Sequence, residues 1–181
     1  MIDFKKYGWL EKLDGLPLMI QEGIRIGKLN TSEISGPKAN PEILKLAKTA
    51  GIENIYKSDE IAWCAVAQSA IVIATGKDLP FSAYDRMRAM SFLHYGISVK
   101  EPMLGDIIVF SRTGGGHVGM YVAEDKTCYH VMGGNQNNQY NITRIEKTRA
   151  TGFRRPVYNN QPKAVKKYFV ESTGTISKNE A

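Results

Sequence analysis

Residues 59–74 read Asp59-Glu60-Ile61-Ala62-Trp63-Cys64-Ala65-Val66-Ala67-Gln68-Ser69-Ala70-Ile71-Val72-Ile73-Ala74. From Cys64 onward nearly every side chain is apolar or small, which predicts a helix that is apolar all round and therefore buried, with other elements packed about it. Ser58 and Asp59 are suited to cap it, Glu60 adds negative charge where the helix dipole favours it, and Gly76 beyond Thr75 supplies a stop. Cys64 then lies in or near the first turn. Unpaired N–H groups and the positive dipole end favour a thiolate there, and such positions can bring a cysteine pKa from about 8.5 into the range of about 3.5–7.5. Two readings of the thiol follow: a usable nucleophile, or a small apolar side chain in a core helix.

Working back towards the N-terminus, Phe4, Tyr7, Trp9, Leu10 and Leu13 recur at near-helical spacing, and Gly15 and Pro17 close that segment. A second helix is predicted over 18–26, followed by a polar loop over 27–40. Asn40-Pro41 opens a third, because proline at the first helical position has its φ already set; Ile43, Leu44, Leu46 and Ala47 form its apolar stripe, ending near Gly51. Beyond the Cys64 helix the period changes. Residues 106–110, 118–122, 128–132, 140–145 and 152–158 are short β-rich runs separated by turn residues, which predicts an antiparallel meander. Helices first and strands after predict an α+β fold, with N-terminal helices packed on a C-terminal antiparallel sheet of about five strands.

The 181 residues, 43% of them hydrophobic, suffice for one sizeable core and are few for two ordinary domains. A single domain is therefore predicted over 1–158, with 159–181 a basic, flexible tail. Two cysteines, Cys64 and Cys128, do not make a disulfide framework. Lys5 and Lys6 are followed by Glu11 and Asp14, so no signal-peptide core is present, and no run approaches the ~20 apolar residues that cross a bilayer. Synthesis in the cytoplasm without a membrane span is the expectation. The net charge of +6 suits nucleic acid, anionic cell-wall polymers or solubility alone. Nucleic acid ranks last, for want of a basic helix or interleaved aromatics. No zinc spacing, EF-hand loop or phosphate-binding loop is present, and no cofactor or metal is expected.

The chemistry-bearing residues of the second half are His117 and the turn Gly133-Gly134-Asn135-Gln136. His117, Gly119 and Tyr121 point to one face of a strand and Val118 and Met120 to the other. Gly119 beside the imidazole reads as a cleared patch, and a strand glycine marks close approach of a backbone or ligand, or a bulge. Asn135 could accept from one imidazole nitrogen and hold the ring in the tautomer that serves a nucleophile. The alternatives are a loop-edge histidine and a turn that tolerates positive φ. His94 and His130 lack the glycine-cleared surround and are assigned to packing or surface.

Five ordered segments carry a resemblance: Asp59-Glu60-x-x-Trp63-Cys64-Ala65, Gly105-Asp106-x-x-Val109-Phe110, Gly116-His117-Val118-Gly119-x-Tyr121, Gly133-Gly134-Asn135-Gln136 and Arg154-Arg155-Pro156. From about Trp9 to Pro156 the chain resembles the phage and prophage cysteine hydrolases of the CHAP and NlpC-like superfamily. The resemblance implies a papain-like α+β fold and hydrolysis of amide bonds in bacterial peptidoglycan, as amidase or endopeptidase, in phage lysis, wall penetration or interbacterial attack. It implies Cys64 as nucleophile, His117 as general base and acid, Asn135 as the orienting residue, and Asp59, Trp63, Gly119 and Gln136 as substrate contacts. Many members carry a glutamate two positions before the asparagine; this chain has Gly133. Peptidoglycan is the implied partner, reached after release or delivery, and an inhibitor or immunity protein or a phage structural protein are further classes the resemblance admits. A function of another class stands beside it: a catalytically silent fold serving as a virion or wall-binding adaptor.

Overall fold

The computed structural model describes residues 2–36, 38–112, 114–172 and 175–177. It is an α+β fold in which the N-terminal half supplies helices α1 (Phe4–Tyr7), α2 (Leu18–Lys28), α3 (Pro41–Thr49) and α4 (Cys64–Ala74), and the C-terminal half a six-stranded antiparallel sheet. α3 follows local rules throughout. Asn40 caps it, its Oδ1 accepting from the Glu42 N–H at 2.8 Å, Pro41 is the first helical residue, and Gly51 leaves with φ +66. Ile43, Leu46 and Ala47 form its buried stripe. The first predicted segment is shorter as an α-helix, because at Gly8 it tightens into a 3-10 turn that runs to Lys12.

The strands are β1 (Ile97–Val99), β2 (Ile107–Arg112), β3 (Gly115–Glu124), β4 (Cys128–Gln136), β5 (Gln139–Glu146) and β6 (Ala150–Arg155), in spatial order β1-β6-β2-β3-β4-β5. Only β2 to β5 form a meander; β6 returns to the other side of β2, and β1 adds an edge of three residues, too short to show a period. Period-two alternation divides the sheet residues between two faces. Ile107, Val109, Val118, Met120, Val122 and Met132 join the helices in the main core, and α4 packs between that face and the other helices, buried from Cys64 to Val72. Ile108, Phe110, Tyr121, Val131 and Ile145 form a smaller cluster on the opposite face, closed by Tyr129, Ala150 and Phe153. Each fully buried aliphatic or aromatic side chain contributes about 1.5–3 kcal/mol relative to exposure.

The segment after β6 packs back on the molecule. Ala164 N–H donates to Gly15, Leu104 N–H to Lys166 and Val170 N–H to Glu124, and the Tyr168 ring lies 4.8 Å from that of Trp9. Of the stretch read as a flexible tail, residues 173–174 and 178–181 lie outside the described residues. Among the described residues no helix is long and apolar enough to cross a membrane.

Candidate active site

α4 begins at Cys64 itself, with Trp63 in the cap position and no side-chain cap. The predicted caps are used elsewhere. Asp59 is buried, and its Oδ2 accepts from the N–H groups of Ile34 (3.0 Å) and Asn40 (2.8 Å), so it ties down the loop that precedes α3. Trp63 is fully buried as well. Its Nε1 donates to Glu33 Oε1 at 2.8 Å, and its ring lies against Gly134, where a Cβ would come within 2.6 Å of it. Both residues are buried and bonded within the fold, tying the loop before α3 to the start of α4. Glu33 N–H in turn donates to Asn138 O at 2.8 Å, joining that loop to the β4–β5 turn.

The Cys64 thiol is buried and receives the backbone N–H of Val118, on β3. Burial pushes its pKa up, and the Val118 amide, the charge of Arg112 and the amides of Ala65 and Cys64 pull it down without outweighing burial. This corrects the expectation of a helix-start thiolate. Desolvation of the anion is the larger effect at this depth, so burial favours the protonated sulfur.

His117, the residue before Val118, is buried and lies opposite Phe110 in the β2–β3 register, with ring centroids 6.2 Å apart. Its Nε2 is 3.1 Å from Gln136 Oε1. The hydrogen-bond network decides the tautomer. Gln136 Nε2 donates to the carbonyls of Val131 (3.2 Å) and Asn141 (2.9 Å) and to Asn141 Oδ1 (2.9 Å), so the oxygen end of the amide must face the ring. His117 therefore carries its proton on Nε2 and its lone pair on Nδ1. Asn141 Nδ2 donates back to Gln136 O at 2.9 Å and holds the amide in place.

The carboxamide behind the imidazole is thus that of Gln136, where the sequence pointed to Asn135. A bulge is the cause. The β4–β5 register shifts between Gly133 and Gln136, and Asn135 takes φ +56, which breaks the alternation of side chains and turns Gln136 to the imidazole. Asn135 is buried, and its Oδ1 has no hydrogen-bond partner among the described residues. Gln136 is fully buried, with its amide oxygen against the imidazole. Gly119 leaves no open patch, because a Cβ there would lie 2.6 Å from Val131 Cγ1 and 2.8 Å from Met132 O. It permits close approach of β4, whose pairing with β3 starts one residue further on, at Met120↔Met132. Cys64 reaches β3 just outside that paired stretch. Asn141 had no signal in spacing or composition, since its role depends on the register of β4 against β5.

A second buried imidazole lies elsewhere in the sheet. His130 Nε2 donates to Asp125 Oδ2 at 3.0 Å, and Tyr7 OH, 3.0 Å away, donates to Nδ1. Arg144 Nε donates to the same carboxylate oxygen at 2.7 Å, while the amides of Thr127 and Cys128 donate to Oδ1, each at 2.9 Å. Burial alone would raise the Asp125 pKa, but Arg144, His130 and the two amides outweigh it and hold the carboxyl well below the usual range. Burial lowers the pKa of His130 against the pull of Asp125, whose charge Arg144 already balances, so this ring stays neutral. His94 is exposed. Among the described residues no group of three His, Cys, Asp or Glu side chains could hold a metal ion. An open cleft of about 680 Å³, lined by Lys77, Asp78, Tyr95 and Tyr158 among others, lies beyond the far end of α4 from Cys64.

Compared with known proteins, the chain matches no family model, no curated protein and no solved structure.

Proposed function

We propose that this protein is a papain-like cysteine amidohydrolase that cleaves amide bonds of bacterial peptidoglycan. The observation that carries the reading is the buried thiol at the first residue of α4, which accepts the Val118 N–H, one residue along β3 from an imidazole whose Nε2 faces the Gln136 amide oxygen. In the reaction His117 Nδ1 takes the Cys64 proton as the sulfur attacks the amide carbonyl, and the backbone N–H of Cys64 donates to the developing oxyanion. The C–N bond breaks as Nδ1–H protonates the leaving amine, which leaves a thioester. Water gives a proton to Nδ1 and attacks that thioester; the carboxylic acid departs and the proton returns to sulfur.

The resemblance of the five ordered segments supports peptidoglycan as substrate, and the +6 charge favours encounter with its anionic groups at low salt. Action at the wall follows release or delivery. One observation favours the adaptor reading: Cys64, His117 and Asn135 are 4%, 0% and 2% exposed, so a substrate carbonyl reaches the thiol only if the wall of the site opens. Digestion of purified sacculi, followed by release of new amino termini, separates the two. Release by the wild type that falls at least ~10³-fold in Cys64→Ala is the expected result. Undiminished release by that variant overturns the mechanism, and retention on sacculi without release supports the adaptor.

A further inference from the structure

We propose that Arg112 is the docking point for a substrate carboxylate beside the scissile amide, an inference that rests on the hydrolase reading. Arg112 is the last residue of β2, two after Phe110, and its register partner Gly115 lies two before His117. Alternation puts Arg112, Phe110 and His117 on one face of the sheet, with Arg112 on the diagonal to the imidazole, a spacing of about 7–8 Å between strands. Its charge is felt at the Cys64 thiol. A guanidinium here stands on the diagonal to the imidazole and within electrostatic range of the thiol.

Five other arginines of the described chain have partners, and Arg88 is exposed. Arg25 pairs with Glu22, Arg144 with Asp125 and Arg155 with Asp106, while Arg86 and Arg154 donate to backbone carbonyls. The Arg112 side chain is half-buried, yet it has no hydrogen bond or ion pair within the described structure. A Cβ added at Gly114 or Gly115 would meet nothing within 4 Å, so no side chain crowds these two glycines. A planar five-donor cation in such a place suits a carboxylate, which it can take with two parallel hydrogen bonds.

Peptidoglycan stem peptides offer two carboxylates of this kind: the α-carboxylate left by a γ-linked D-glutamate, and the C-terminal one. Three synthetic stem peptides identify the source, one with both groups free, one amidated at the D-glutamate α-carboxyl and one amidated at the C-terminus. Calorimetric binding is read in the Cys64→Ala protein, which leaves the peptides intact, and kcat/KM in the wild type. One amidation is expected to weaken binding and kcat/KM by about 10–100-fold, the worth of a charge-assisted hydrogen bond. Arg112→Gln brings the ratio between free and amidated peptides close to one, and Arg112→Lys, which keeps the charge, restores part of it. Equal binding of all three peptides, no binding of any, or an equal loss on free and amidated forms in Arg112→Gln overturns the assignment. Discrimination in binding without cleavage by the wild type instead removes the hydrolase reading and leaves the carboxylate site standing.

Discussion

Two buried imidazoles on one sheet have been given different surroundings by their neighbours. At His130 both ring nitrogens are committed, Nδ1 to the Tyr7 hydroxyl and Nε2 to Asp125, and the carboxylate is itself balanced by Arg144. Such a ring can neither take nor give a proton without breaking the cluster. At His117 the partner is a neutral amide that accepts the Nε2 proton and leaves the basic lone pair on Nδ1, at the strand position next to the Cys64 thiol's contact. The difference lies in the charge of the group at Nε2, since both rings are fully buried. A carboxylate flanked by arginine makes a structural clasp. A neutral carboxamide leaves the imidazole able to accept a proton.

The comparison is broken most directly at Asp125. Asp125→Ala strands Arg144 and His130 in a site less than 10% exposed, and is expected to cost about 3–5 kcal/mol in urea unfolding, with activity per folded molecule unchanged. The pH dependence has a definite sign. Asp125 and His130 both have folded pKa values below their unfolded ones, so their contribution is full above about pH 6.5 and falls as the pH drops, through His130 first and below about pH 4 through Asp125. Asp125→Ala should remove the part of this loss that falls below about pH 4. A wild-type stability that does not change between pH 7 and pH 3 would contradict the clasp.

At the other imidazole, Gln136→Ala is expected to lower kcat by about 10–100-fold, part of what a positioned general base contributes, and to shift the pH–rate profile because the ring loses its fixed tautomer. Asn135→Ala should cost less. The reverse order would restore the assignment that the sequence suggested. Thiol reactivity sharpens the contrast further. With the Cys64 pKa raised by burial, its alkylation by iodoacetamide should climb about tenfold per pH unit across pH 6–8. A rate that is flat in that range would indicate a thiolate–imidazolium pair in place of the neutral one derived above.

Some of this was legible in the chain. The Asn40-Pro41 start and Gly51 stop of α3 are local chemistry, in which each residue's preference is satisfied within a turn of its own position. The all-apolar run after Cys64 required a buried helix wherever it was placed, and alternation in 118–122 divided β3 correctly between two faces. What the sequence could not decide depended on partners far along the chain. Asp59 satisfies the cap rule, yet amides 19 and 25 positions away hold its carboxylate. Asn135 satisfies the orienting rule, yet a one-residue bulge gives the imidazole to Gln136, because a single-residue slip exchanges the faces of a strand. The helix start does favour a thiolate, but the depth of burial reversed the balance, and depth is a property of the packed molecule. Residue types and their order determined which groups are available for chemistry; tertiary packing decided their protonation and their partners, because desolvation and register act only once distant segments have met.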